Sequence, residues 1–195
     1  PTHDHIEAVV KMPDPQNVKE LRSLLGSFNY YSKFVPNLQP TCAPLHELLC
    51  KGMKWRWTSR ESDIVKSVKE KLLSADYLTH YNASLPLVLT TDACDVGVGA
   101  VLSHRFRDNT EKPICFASRT LTAAEKGYSA LDKETLGIIF GLSKFRQYLC
   151  GRKFSIRTDH KPLIHLLGEK NELPKLAANR LTRWAIILSG FDYEI

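Results

Sequence analysis

No stretch of the 195-residue sequence approaches the run of about 18 apolar residues that a membrane-spanning helix needs, and the N-terminal PTHDHIEAVVKMPDP lacks the charged-then-apolar layout of a secretion signal. These absences predict a soluble protein of the cell interior, cytoplasmic or nuclear, with no membrane partner. Cysteine is sparse. Cys42, Cys50, Cys94, Cys115 and Cys150 are odd in number, widely spaced and form no C-x-x-C pair, which argues against a disulfide framework or a zinc site and leaves buried free thiols as the expectation. No glycine-rich loop closes on Lys-Ser or Lys-Thr, so a P-loop nucleotide site is excluded. Repeats and low-complexity tracts are missing as well.

What is present is ordinary globular material, 43% hydrophobic and 25% charged, long enough for one large domain or two small ones. The net charge of +6 is unevenly placed. Residues 144–183 hold ten Lys or Arg against three acids, an excess of seven, so the remainder is close to neutral. A localised basic excess suits a polyanion such as nucleic acid, and a well-solvated surface would look the same from charge alone. Arg152, Lys153, Arg157, Lys161, Arg180 and Arg183 are the candidate nucleic-acid contacts within it.

The first 80 residues read as helical. Asn17 with Glu20 forms a capping arrangement after MPDPQ, and Leu21, Leu24, Leu25, Phe28 and Tyr31 recur at helical spacing. Pro36, Pro40 and Pro44 divide the next stretch into turns and a short helix ending near Cys50. Thr58 with Glu61 then opens a second amphipathic helix lined by Val65, Val68 and Leu72. Trp55 and Trp57 alternate like a short strand and are expected to anchor these helices. No catalytic constellation occurs in this region.

Near SADYLTHYNASLP the apolar period changes, and three strand-length runs follow: one at Leu85 to Leu89, one over 96–106 and PICFASR over 113–119. They predict an antiparallel meander. Thr122 with Glu125 opens a long helix whose apolar seam runs through Tyr128, Leu131, Ile138, Leu142, Phe145 and Leu149, with Gly151 as its terminator. FSIRTDH is a fourth strand, KPLIHLL a short helix, PKLAANRLTRWAIILSGF a further amphipathic helix, and DYEI the start of a fifth strand.

Three acids attract attention in this order of elements. Asp92 closes the first strand, Glu134 borders the buried seam of the long helix, and Asp159 closes the fourth strand. Strand, helix and strand connected in this way are usually neighbours, which brings the carboxylates to one sheet edge. Clustered acids without His or Cys suit a hard cation, Mg²⁺ or Mn²⁺, and two such ions can drive phosphodiester hydrolysis. Each acid also has an ordinary use alone: Asp92 as a turn former, Glu134 as a helix-surface residue, Asp159 as a cap for the helix at Pro162. Gly97 and Gly99 clear one strand face, either to admit a backbone or to accommodate a bend. His104, His160 and His165 are candidates for proton transfer, although an isolated His more often serves structure.

TDACDVGVGAVL, PICFASRTLTAAEKGYSALDKETLGIIFGLSKFRQYL and GRKFSIRTDHKPL resemble the RNase H domain of reverse transcriptases from gypsy-type LTR retrotransposons. NVKELRSLLGSFNYYSKFVPNLQPTCAPLHELL and WRWT resemble the end of the polymerase region and the connecting segment of the same polyproteins. The resemblance implies an α/β fold: an RNase H-like mixed sheet of three antiparallel strands followed by strands joined through helices, preceded by a small, mainly helical subdomain. Its boundaries fall at residues 1–84 for the thumb- or connection-like segment and 85–195 for the RNase H-like domain. It further implies hydrolysis of RNA in RNA/DNA hybrids with Mg²⁺ or Mn²⁺. The family's catalytic and metal-binding acids fall on Asp92, Glu134 and Asp159, and the order Asp, Glu, Asp differs from the Asp, Asp, Glu of integrases. The implied partners are a hybrid duplex and other parts of the polyprotein or a host protein. The family's fourth acid comes from a helix beyond the fifth strand, which has no counterpart before Ile195, and the polymerase aspartates have none either. The competing expectation is therefore a retroelement-derived scaffold, weak or inactive as an enzyme, that binds protein or nucleic acid.

Overall fold

Strands β1 (Leu87–Ala93), β2 (Gly97–Arg105) and β3 (Glu111–Thr120) form the expected antiparallel meander. Strands β4 (Lys153–Arg157) and β5 (Asp192–Glu194) continue the sheet beyond β1 in parallel, giving the order β3-β2-β1-β4-β5. The computed structural model describes residues 3–73, 78–163 and 179–195. Strand β1 lies at the centre, and Leu87, Val88 and Leu89 are all buried because layers cover both of its faces. Pro113 sits on edge strand β3, where its missing N–H leaves no ladder bond unmade and its carbonyl accepts from Thr79 N–H at 2.8 Å.

One face of the sheet is covered by α6 (Ala130–Lys144). The single long helix expected from residue 122 onward is instead three pieces: α5 (Ala123–Lys126), α6, and α7 (Arg146–Leu149). The Thr122–Glu125 capping box is present but opens only α5. Gly127 then ends that turn, and Ser129 caps a fresh helix by accepting from Asp132 N–H at 3.1 Å. A glycine followed closely by a good N-cap favours restarting the helix over continuing it. Gly151, at φ +72°, turns the chain from α7 into β4. Helix α8 (Asn179–Leu188) packs beside α6, with Arg180 paired to Asp132 of that helix at 3.3 Å and Trp184 against Tyr128 just before it. The helix expected at KPLIHLL begins at Lys161–Leu163, and the rest of it, with His165, lies outside the described residues.

The N-terminal residues build a separate core. Helices α1 (His3–Val10), α2 (Val18–Tyr30), α3 (Leu38–Glu47) and α4 (Ser59–Leu73) enclose Leu21, Leu24, Phe28, Leu38, Leu45, Val65 and Leu72. Asn17 caps α2 as its spacing predicts, accepting from Glu20 N–H at 3.0 Å. At α4 the Glu61 carboxylate accepts from both the backbone N–H and the hydroxyl of Thr58. The turn at Pro36 and the short helix expected before Cys50 are present, the helix being α3, but the other two prolines lie within it and do not divide it. Pro40 lies in the first turn of α3, where a missing N–H is harmless, and Pro44 is carried inside the helix. Trp55 and Trp57 form no strand; their rings stack at 5.7 Å against this core, and Trp57 Nε1 donates to Ser62 Oγ at 2.9 Å.

This helical layer docks on the other face of the sheet. A methyl on Gly97 would stand 2.6 Å from Pro40 Cγ, and one on Gly99 would collide with Asn37 Oδ1. The alternating glycines thus admit the entrance to α3, and Gln39 N–H donates to Ser118 Oγ beside them at 3.1 Å. The approach to β1 is fastened separately. Arg152 donates to Tyr81 Oη, Ala83 O and Leu85 O at 2.6, 2.7 and 3.0 Å. His104 is fully buried; its Nε2 accepts from Asn82 N–H at 2.8 Å, so the ring proton sits on Nδ1, 3.2 Å from Pro86 O. Its role is structural. All five cysteines are free, but only Cys42 and Cys115 are buried, which pushes each thiol up to about 12. Cys50, Cys94 and Cys150 are exposed, contrary to expectation, because the turns that carry them lie outside both cores.

Candidate active site

Pairing in parallel places the C-terminal ends of β1 and β4 at the same sheet edge. Asp92 is the penultimate residue of β1, and Asp159 follows the last residue of β4 by two positions. Helix α6 approaches this edge closely because it presents glycine to the sheet. A methyl on Gly137 would meet Asp92 O and Thr91 Cβ at 3.7 Å, and one on Gly141, a turn later, would lie 3.0 Å from Leu89 Cδ1 and 3.2 Å from Ala100 Cβ. Glu134 stands one turn before Gly137 on that same face. The close approach delivers its carboxylate to the ends of β1 and β4, where it accepts a hydrogen bond from the backbone of Ala93.

The electrostatics of Glu134 show what the edge lacks. Burial pushes its carboxyl up to about 7, with Asp159 and then Asp92 adding like-charge repulsion, while the Ala93 hydrogen bond opposes the rise. Its Oε2 is buried and without a hydrogen-bond partner among the described residues. The adjacent cation, Lys133, is directed instead to Asp95 at 2.6 Å. An unpartnered buried carboxylate oxygen between two exposed acids is the donor chemistry a hard divalent cation takes.

The three acids nonetheless do not form a finished ligand shell; among the described residues no group of three His, Cys, Asp or Glu is arranged to hold a metal. Alternation along the strands supplies the reason. Leu89 and Thr91 face α6, so Asp92 and its cross-strand partner Gly99 face the opposite layer, and Glu134 meets Asp92 only around the sheet edge. The residues thus fit a divalent ion in type and in charge, and share one field without a closed cage.

The six candidate cations divide into two kinds. Arg152 is held by the linker carbonyls and Tyr81, Arg157 by Glu111 at 2.7 and 2.9 Å, Arg180 by Asp132 and the Tyr128 ring, and Lys153 by Glu194 at 3.6 Å. Lys161 and Arg183 are exposed, with no ion pair among the described residues, and Lys161 is two residues from Asp159. Lys170 and Lys175 lie outside the described residues. His160 is half-buried, its N–H donating to Thr158 Oγ1. Two clefts, of about 570 and 460 Å³, run along β3 between the helical layers and are lined by no acid, and a third of about 420 Å³, beside β4 and β5, is lined by Glu194 but by none of the three candidate acids. The acids occupy an open edge instead. Sequence reasoning missed the residues that assemble that edge, chiefly Gly137 and Gly141, whose spacing of four on one helix face was the available signal.

A family model described as an RNase H-like domain found in reverse transcriptase matches residues 82–191. The Tf2-3 and Tf2-4 transposon polyproteins of Schizosaccharomyces pombe are each 38% identical over the whole chain, which spans 15% of their length. Among solved structures, a foamy viral protease-reverse transcriptase in complex with dsDNA superposes with a TM-score of 0.72 and 25% identity, over 100% of this chain and 41% of that one. The same kind of protein in complex with an RNA/DNA hybrid superposes with a TM-score of 0.72 and 23% identity, over 99% and 27%.

Proposed function

We propose that this chain, which belongs to the family of RNase H-like domains found in reverse transcriptases, hydrolyses the RNA strand of RNA/DNA hybrids with divalent metal held by Asp92, Glu134 and Asp159. It is an RNase H-like domain of a retrotransposon reverse transcriptase. The observation that carries the catalytic reading is the buried Glu134 oxygen, unpartnered among the described residues and near two acids, with the adjacent Lys133 turned away to Asp95.

Bound there, Mg²⁺ or Mn²⁺ would supply Lewis-acid activation of water and neutralise charge developing on the phosphodiester. The protein residues do the rest. Asp92 and Asp159 are exposed and face the substrate side, whereas Glu134 is half-buried and held by the Ala93 N–H. Near neutral pH Glu134 carries a proton part of the time, which a cation must displace. A duplex about 20 Å across cannot enter a cleft of a few hundred Å³, and an open edge flanked by Lys161 suits it. Residues 1–84 serve as the connection-like platform and 85–195 as the nuclease unit. The similar foamy viral protease-reverse transcriptases in complex with dsDNA and with RNA/DNA hybrid favour duplex partners.

The test is cleavage of a labelled RNA/DNA hybrid in Mg²⁺ or Mn²⁺ by this chain, its Asp92→Asn variant and a form continuing past Ile195. Cleavage that disappears in Asp92→Asn is the expected result. Hybrid binding without cleavage by any form would overturn the enzymatic reading in favour of a scaffold.

A further inference from the structure

Strand β2 offers no side chain opposite Asp92. Gly99 is its direct cross-strand partner, and residues so paired point to the same face with Cβ atoms about 5 Å apart. The space a side chain at Gly99 would fill is taken by the carboxamide of Asn37, from the helical layer, whose Oδ1 would collide with a Cβ built there. A residue some sixty positions upstream therefore stands as Asp92's cross-strand neighbour.

Asn37 is held in that place by strained and specific geometry. Its backbone is left-handed, at φ +51°, a conformation that Asn tolerates better than other side chains. It occupies the N-cap position of α3, yet its side chain makes no capping hydrogen bond, although Asn is among the best capping residues. Its carbonyl is used locally, accepting from Thr41 N–H and Oγ1 at 3.1 and 2.8 Å. Pro40 against Gly97 and Gln39 on Ser118 fix the segment on either side of the next turn. The carboxamide is thus diverted from its usual local role, exposed, and presented on the face toward which Asp92 points.

We infer that Asn37 is a positioning residue for Asp92, so that the nuclease site is a composite of both subdomains and its metal affinity depends on the helical layer. Asn37 acts through Asp92. The carboxamide stands over Gly99, directly across the strand pair from Asp92, and narrows the space on that face into which the carboxylate can turn. Groups that orient a metal-binding carboxylate in this manner typically change metal affinity by about 10- to 100-fold when removed. The inference rests on reading Asp92 as a metal ligand.

The experiment compares the chain with Asn37→Gly and Asn37→Ala. Glycine accepts the left-handed backbone without strain, so Asn37→Gly removes the carboxamide while keeping the turn; alanine loses both. Mn²⁺ binding is measured by calorimetry, the thermal midpoint by circular dichroism, and the Asn37 side-chain amide by ¹⁵N NMR in metal-free chain with and without Asp92→Asn. The expected result is Mn²⁺ affinity at least about tenfold weaker in Asn37→Gly at an unchanged midpoint, with the Asn37 amide resonance shifting when Asp92 is replaced. Unchanged Mn²⁺ affinity in Asn37→Gly, or an amide resonance indifferent to Asp92→Asn, would overturn the inference. Absence of Mn²⁺ binding in the wild-type chain together with a responsive amide would instead refute the metal assignment and leave the Asn37–Asp92 coupling standing.

Discussion

Replacing Glu134 by Gln should make the metal-free protein more stable while removing a metal ligand. Burial and two neighbouring acids raise the Glu134 carboxyl from 4.5 to about 7, so the fold favours its protonated form. At about 1.4 kcal/mol per pH unit, such a displacement corresponds to roughly 3 kcal/mol for a group sealed from water. Glu134 is only half-buried, and solvent screening reduces the expected effect to about 1 kcal/mol. The sign follows from linkage: the folded state binds more protons than the unfolded state between about 4.5 and 7, so the contribution of protonated Glu134 is complete below that window and lost as pH rises through it. Gln is neutral throughout. In EDTA at pH 8 the variant should therefore gain about 1 kcal/mol, moving its urea midpoint upward by roughly 0.4 M. At pH 4 the two proteins should coincide, and excess Mg²⁺ at pH 8 should stabilise the wild type alone. A Gln variant no more stable than wild type at pH 8, or equally stabilised at pH 4, would refute this account of the site.

Other substitutions separate structural from nucleic-acid roles. Arg152→Ala should cost about 2 kcal/mol by freeing three linker acceptors and should leave the salt dependence of hybrid binding unchanged, whereas Lys161→Ala should lower the slope of log affinity against log salt by up to about one with little loss of stability. Gly97→Ala places a methyl against Pro40 Cγ and the Arg119 carbonyl, and urea unfolding should show about 1–3 kcal/mol of overpacking. His104→Ala removes the acceptor of the Asn82 N–H and opens a cavity at a fully buried position; a loss of about 2–4 kcal/mol is expected by the same measurement.

The meander and the helical N-terminal segment were legible in the sequence because they depend on local periodicity and on caps such as Asn17. Asp92, Glu134 and Asp159 were legible as candidates from chain order and from family resemblance. The break in the long helix was less so, since the apolar seam continues across Gly127 and only Ser129, read as a new N-cap, marks the restart. The role of Arg152 was hidden because its partners, the Tyr81 hydroxyl and two backbone carbonyls, lie about seventy residues upstream, and composition records only its charge. The same is true of Gly99: a missing side chain says that something comes close, and only the tertiary structure says that it is Asn37.

The fastening of residues 81–86 has a mechanical consequence. Arg152, His104 and the ring of Tyr148 clamp that passage at one end of the central strands, while Pro40 and Asn37 are seated at the other. The seat on Gly97 and Gly99 joins the helical layer directly to β2. A load arriving on the N-terminal helices, for instance from a duplex drawn across them, would therefore enter the sheet at the start of that strand.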